Sequence, residues 1–204
     1  MVFTLTFGKK QKEYLMTFNS KNSDTNTPIS QSYGKKEYKT LGGDGNDILC
    51  GREEEINYLS GGKGDDTIYG GNKFDVIAGG DGNDKIYSYG GKDTLIGGKG
   101  KDLFIYQSIN DSLYSSPDTI MDFETGRDKI DISALSKING NTIEIKQVNC
   151  FSQHKNELIV HCNYNESQNL TSSYLMLDHD GDGQADFQIN AFGIINPETD
   201  LILF

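Results

Sequence analysis

Six aspartates in this chain recur at intervals that suit the binding of hard cations. Asp47, Asp66, Asp84 and Asp102 stand 19, 18 and 18 residues apart, and Asp75 and Asp93 interleave with them at a separation of 18. Two residues after each comes an apolar side chain: Leu49, Ile68, Ile77, Ile86, Leu95 or Phe104. A Gly-Gly pair lies four and five residues before five of the six. Glycine turns admit positive φ and close backbone approach, so carbonyl oxygens can converge beside each carboxylate. Calcium takes six to eight oxygen ligands at about 2.3–2.6 Å and tolerates irregular geometry. Calcium coordination is therefore the chemistry this spacing points to.

The spacing comes from a nine-residue period over residues 42–105. Four blocks fit the pattern G-G-x-G-x-D-x-U-x in full, with U apolar: GGDGNDILC, GGKGDDTIY, GGDGNDKIY and GGKGKDLFI. GGNKFDVIA and SYGGKDTLI fit in part, GREEEINYL only in its apolar end, and Ser60 reads as a single inserted residue. The last three residues of a block make a minimal strand with its middle side chain inward. Each turn then reverses the chain, two blocks make one coil, and same-side turns recur every 18 residues. Asp47, Asp66, Asp84 and Asp102 fall on one edge, where up to three ions are expected between neighbouring turns. Asp75 and Asp93 fall on the other, where at most one weakened site is expected. There Lys73 replaces a glycine, bringing strain and a positive charge, and Ser88-Tyr89 replaces a glycine pair. In the second block Arg52 and Glu53–Glu55 fill the turn with no aspartate in phase, so no standard site is expected.

Composition agrees with a local repeat. Seventeen of the 24 glycines lie between Gly42 and Gly100. The net charge is −11, and the segment from Gly42 to Asp102 carries −5 of it. That sign repels phosphate backbones and acidic lipid, so neither a nucleic-acid partner nor membrane insertion is expected. No apolar run is long enough for a membrane span. Residues 1–10 alternate like a short strand and carry no signal-peptide pattern, and Asn19–Ser32 reads as a polar loop. Cys50, Cys150 and Cys162 make no disulfide framework; a Cys150–Cys162 approach across a hairpin near Asn156 is weaker than the reading of three reduced thiols. With His154, His161 and His179 as its histidines, the chain has neither an H-E-x-x-H helix nor a cysteine-protease signature, and no G-x-S-x-G elbow occurs.

After residue 105 the period stops. Thr142–Val148, Glu157–Cys162, Ser173–Leu177 and Phe187–Ala191 read as strands. Between the last two lies Asp178-His179-Asp180-Gly181-Asp182-Gly183-Gln184-Ala185-Asp186, the first half of an EF-hand loop. Its twelfth position is Ile189, not a bidentate glutamate, so it reads as a hairpin turn, with an incidental ion as the alternative.

The glycine blocks resemble those of the repeats-in-toxin exoproteins. Leu103–Leu135, with the order D-x-I-x-D-F-x-x-G-x-D-x-I-D from Asp118 to Asp131, is similar to the segment after the β-roll in serralysin-type metalloproteases and in mannuronan epimerase R-modules. Leu175–Ala191 resembles the closing hairpin of the serralysin C-terminal domain. The resemblance implies an all-β fold: a parallel β-roll over 41–105 and an antiparallel β-sandwich cap over 106–204, with 1–40 unassigned. It implies calcium ligands at the six aspartates and at turn carbonyls of Gly43, Gly45, Gly62, Gly64, Gly80, Gly82, Gly98 and Gly100. It also implies a type I secretion exporter as partner and a secreted, extracellular location, since Asp200-Leu201-Ile202-Leu203-Phe204 resembles the family's C-terminal export signal. The function expected is calcium binding in a non-catalytic secretion and stability module that folds with its metal. The alternatives are the C-terminal fragment of a secreted serralysin-type zinc metalloprotease, its proteolytic domain missing, and a polysaccharide-binding R-module.

Overall fold

Each glycine block supplies one short strand and one turn, and alternate strands fall into two sheets. The computed structural model describes residues 29–32, 37–138, 141–142, 144–166 and 169–203. The strand expected over 1–10 lies outside them, as does most of the expected loop at 19–32. The described end of that loop, Ile29–Ser32, is strand β1, paired antiparallel along β2 (Glu37–Asp44).

From β2 the chain alternates between the sheets. The first takes β4 (Ile56–Lys63), β6 (Asp75–Asp81), β8 (Thr94–Lys99) and β10 (Asp118–Ile120). The second takes β3 (Ile48–Cys50), β5 (Thr67–Tyr69), β7 (Lys85–Tyr87), β9 (Leu103–Ile105) and β11 (Lys129–Asp131). Within the roll neighbours pair parallel. One apolar residue per strand points inward. Leu59, Ile77, Leu95 and Ile120 line up in one sheet and face Leu49, Ile68, Ile86, Phe104 and Ile130 of the other, all at most 1% exposed. The expected inward positions are thus the core. A core one side chain wide buries little apolar surface per residue ordered.

The C-terminal strands continue the first sheet. After β12 (Lys137–Ile138) and β13 (Asn141–Thr142) come β14 (Lys146–Gln147), β15 (Glu157–Asn165), β16 (Leu170–Asp178) and β17 (Phe187–Phe192). β17 pairs parallel with β10, and β16 and β15 follow antiparallel. Of the strand expected over 142–148 the structure keeps Thr142, the end of β13, and Lys146–Gln147, and β14 runs parallel to β15. No hairpin therefore turns at Asn156, and the three cysteines are free. Leu158, Leu175, Leu177, Phe187 and Ile189 form a thicker core, with Tyr106 edge-on to Phe187 at 5.3 Å. β18 (Leu201–Ile202) closes the second sheet beside β11.

The register relocates the extra residue of the second block. Ser60 pairs with Leu41 and Ala78 as an ordinary strand position, and Asn57 pairs with Asp75. The insertion therefore sits in the turn before Asn57, and an asparagine occupies the in-phase acidic position.

Candidate metal centre

The β2–β4–β6–β8 register aligns Gly43, Gly62, Gly80 and Gly98, so the turns 42–47, 61–66, 79–84 and 97–102 stack along one edge. Backbone hydrogen bonds tie each turn to the next: Gly45 N–H to Lys63 O at 2.7 Å, Gly64 N–H to Asp81 O at 2.7 Å and Gly82 N–H to Lys99 O at 2.8 Å. The carbonyls of Gly43, Gly62 and Gly80 press against the next coil's glycine, as do those of Gly45, Gly64 and Gly82. Gly98 and Gly100 receive the last of these contacts.

Asp47, Asp66, Asp84 and Asp102 lie together on this edge, 1–3% exposed. The N–H of each donates to the Oδ1 of its successor: Asp47 to Asp66 at 2.7 Å, Asp66 to Asp84 at 2.8 Å, Asp84 to Asp102 at 3.0 Å. Each Oδ2 folds back over the first glycine of its own block and has no hydrogen-bond partner; Asp47 Oδ1 has none either. Five buried carboxylate oxygens thus stand unpartnered in one row. Burial pushes Asp47 up, and raises Asp66 and Asp102 to about 6 and Asp84 to about 7, with neighbouring carboxylates adding to the rise.

Two features of this edge escaped the sequence reading. The fifth position of the block forms its own ladder, in which Asp65, Asn83 and Lys101 N–H donate to Asn46, Asp65 and Asn83 Oδ1 at 2.7–2.9 Å. Beyond Asp102 a glycine-poor turn closes the stack. Asp122 accepts from Gly97 and Gly98 N–H, both at 2.9 Å, and Asp128 from Asp102 at 3.1 Å and Glu124 at 2.8 Å. Every oxygen of these two carboxylates is satisfied.

The opposite edge is built differently. Asn57, Asp75 and Asp93 N–H donate to Asp75, Asp93 and Asp118 Oδ1 at 2.7–2.8 Å. Asp75 Oδ2 accepts from Gly71 N–H at 2.5 Å, so both its oxygens are taken. Asp93 Oδ2 alone is unpartnered here among the described aspartates. Burial, then the Asp118 charge, raises the Asp93 carboxyl. Lys73 does not crowd this edge. Its ammonium turns outward to Glu54 at 3.3 Å, and the left-handed φ falls on Tyr89 (60°) instead.

The acidic tail segment is the loop of the β16–β17 hairpin. Carboxylate oxygens of Asp178, Asp180 and Asp186 lie within 4.8 Å of one another. Asp178 accepts from Gly181 and Gly183 N–H at 2.7 and 2.8 Å, and Asp186 from His179 and Asp180 N–H at 2.8 and 3.1 Å. Backbone donors thus satisfy both oxygens of Asp178 and one of Asp186.

A family model described as Peptidase M10 serralysin C terminal matches residues 25–203. Metalloprotease AprA of Pseudomonas entomophila is 44% identical over 156 residues, 76% of this chain and 31% of that protein. Serralysin A of Dickeya chrysanthemi is 35% identical over 100 residues, 49% of this chain and 20% of that protein. The chain therefore spans a third or less of the length of these relatives. Among solved structures, the AlgE6R2 subunit of the Azotobacter vinelandii mannuronan C5-epimerase is 25% identical, covering 80% of this chain and 91% of its own at a TM-score of 0.42. With the matched region taking in all of the described residues, the chain belongs to the serralysin C-terminal family.

Proposed function

We propose that this chain is a calcium-folded, non-catalytic module of a secreted protein, with its ions held along the Asp47–Asp102 edge. The observation that carries the reading is the row of five buried, unpartnered carboxylate oxygens. Unpaired buried carboxylates are costly, and a divalent cation bound by several oxygens removes that cost. The donor set fits: hard carboxylate oxygens with glycine carbonyls stacked beside them. Asp47, Asp66, Asp84 and Asp102 would hold the ions with carbonyls of Gly43, Gly45, Gly62, Gly64, Gly80, Gly82, Gly98 and Gly100, in the three spaces between four turns. Asp93 offers one free oxygen on the other edge, and Asp75 offers none.

Equilibrium dialysis tests this. The full chain should bind several calcium ions, and Asp84→Asn, which alters a carboxylate bordering two spaces, should lose one or two. An unchanged count in that variant contradicts the assignment.

Protons and calcium should compete for the edge. Asp66, Asp84 and Asp102 have folded values of about 6–7, above the ordinary 3.8. Protonation therefore favours the metal-free fold; this contribution is full below about pH 4 and is lost as pH rises through about 6–7. Calcium needs the ionised form, so its affinity should rise over the same interval. In chelator the melting temperature should fall between about pH 4.5 and 8, and in millimolar calcium it should rise. A chelator-state melting temperature that climbs with pH contradicts the assignment.

The affinity usual for extracellular calcium modules supports a secreted location. Extracellular calcium modules bind at about 10⁻⁴–10⁻³ M, so the chain would stay open inside a cell and fold outside. Export by a type I system fits the segment Asp200–Phe204, an acidic residue followed by apolar ones. In the fold Asp200 is fully buried and accepts from Asn196 N–H, Thr125 Oγ1, Gly126 N–H and Thr199 Oγ1 at 2.7–2.9 Å, while Leu201–Ile202 is part of a sheet. An exporter reading those residues would have to meet them before folding. The relatives' names favour a second, compatible reading, in which the module serves a longer metalloprotease whose cleavage chemistry lies elsewhere. A protease assay of this chain with zinc and calcium should then show no cleavage.

A further inference from the structure

We propose that the side-chain amide of Asn57 stands in for a cation on the second edge, so that the coil from Gly51 to Asp75 closes without calcium. The proposal rests on the calcium reading of the first edge. Asn57 is fully buried and holds the register position that the later coils give to aspartate. Its Oδ1 accepts from Arg52 N–H at 2.8 Å, which fixes the orientation of the amide and aims Nδ2 the other way.

Three oxygens then surround Nδ2: Asp75 Oδ1 at 2.8 Å, Arg52 O at 3.0 Å and Glu55 O at 3.0 Å. One carboxylate and two backbone carbonyls are a hard-cation donor set, and three acceptors exceed the two protons the amide carries. Glycines seal the position. A Cβ on Gly51 would come within 2.8 Å of Asn57 Cγ, and one on Gly71 within 2.9 Å of Nδ2. With Gly71 N–H on Asp75 Oδ2, both carboxylate oxygens of Asp75 have donors. The first edge lacks such a donor at each of its four aspartates.

The chemistry differs by one group. Where the amide presents an NH₂, an aspartate would present a second carboxylate oxygen against Asp75, and the closed clasp would become an ion-requiring site. Asn57 thereby determines which edge responds to calcium.

Calcium bound per full-length chain, counted by equilibrium dialysis for wild type and Asn57→Asp, tests this. The variant should bind one ion more than wild type, and its melting temperature should depend more steeply on calcium. A merely structural amide predicts an equal count and a melting temperature lowered equally with and without calcium; that result overturns the proposal. Should N57D not fold, Asp75→Asn decides. The clasp holds no ion, so the wild-type count is expected, and loss of one ion overturns it. A wild-type chain that binds no calcium refutes the first-edge reading instead, which keeps the two failures distinguishable.

Discussion

Stripping calcium from the chain at neutral pH is expected to abolish most of its β-sheet circular dichroism, and restoring millimolar calcium to bring it back. The roll has little else to stand on. Its core is a single file of inward residues, Leu49 to Ile130 facing Leu59 to Ile120, and nearly half its turn positions are glycines that lose much chain entropy on ordering. Against that, five carboxylate oxygens are buried without partners on one edge. An unsatisfied buried polar atom costs about 1–3 kcal/mol, and more when charged. Five of them reach the scale of a whole domain's stability, about 5–15 kcal/mol. Burial raises Asp66, Asp84 and Asp102, and neighbouring carboxylates add to it: Asp47 and Asp65 at Asp66; Asp102, Asp66 and Asp65 at Asp84; Asp128 and Asp122 at Asp102. Hydrogen exchange should resolve the loss by region. Gly64 and Gly82 N–H, which bridge turns on the Asp47–Asp102 edge, should lose protection first. Amides of β15, β16 and β17, laid over the thicker core of Leu158, Leu175 and Phe187, should keep it longest. Equal β signal and equal melting temperature in chelator and in calcium would sink the prediction.

The period made much of this legible, because a strict nine-residue repeat couples the inward apolar residue to the acidic one two positions earlier. Leu49, Ile68, Ile77, Ile86, Leu95 and Phe104 are all buried, and Asp47, Asp66, Asp84 and Asp102 do share one edge. What stayed hidden breaks the period. Asn57 was out of view because one extra residue lies in the turn before it, while counting from the glycines put the insertion at Ser60. Asp118 and Asp128 continue the two aspartate ladders, but 25 and 26 residues after Asp93 and Asp102, since irregular segments intervene. The satisfaction of Asp75 and the exposure of Lys73 depend on where single N–H and N⁺–H groups point, which spacing does not encode. Residues 106–204 carried no repeat to set their register, so alternation found β15 to β17 and overran at β14.

Alanine at Gly80 should be among the most damaging single changes in the roll, and alanine at Gly126 should separate the reasons. Both glycines have positive φ, +122° and +75°. Gly126 is open: a Cβ there meets nothing within 4 Å, so the cost is that of a left-handed residue alone, about 1–2 kcal/mol. Gly80 combines two penalties. Its φ lies in a region that is essentially glycine's own, at about 1–3 kcal/mol. Its Cβ would also stand 2.9 Å from the Gly62 carbonyl carbon and closer still to the oxygen, inside the distance real Cβ atoms respect. Backbone cannot move aside as a flexible side chain can, because Gly62 is itself paired to Gly43 and Gly80 in the parallel ladder. Overpacking of this kind adds about 1–3 kcal/mol. The total for Gly80→Ala is then roughly 2–6 kcal/mol, and the coils on either side would be pushed apart where the proposed ions would meet their carbonyls. Denaturant unfolding in saturating calcium measures the stability difference, and calcium titration measures the second effect. Gly80→Ala should lose both stability and calcium affinity, whereas Gly126→Ala should lose a little stability and no affinity. If the two variants prove equally stable, close approach between coils is not what the repeat's glycines are for, and positive φ alone must explain them.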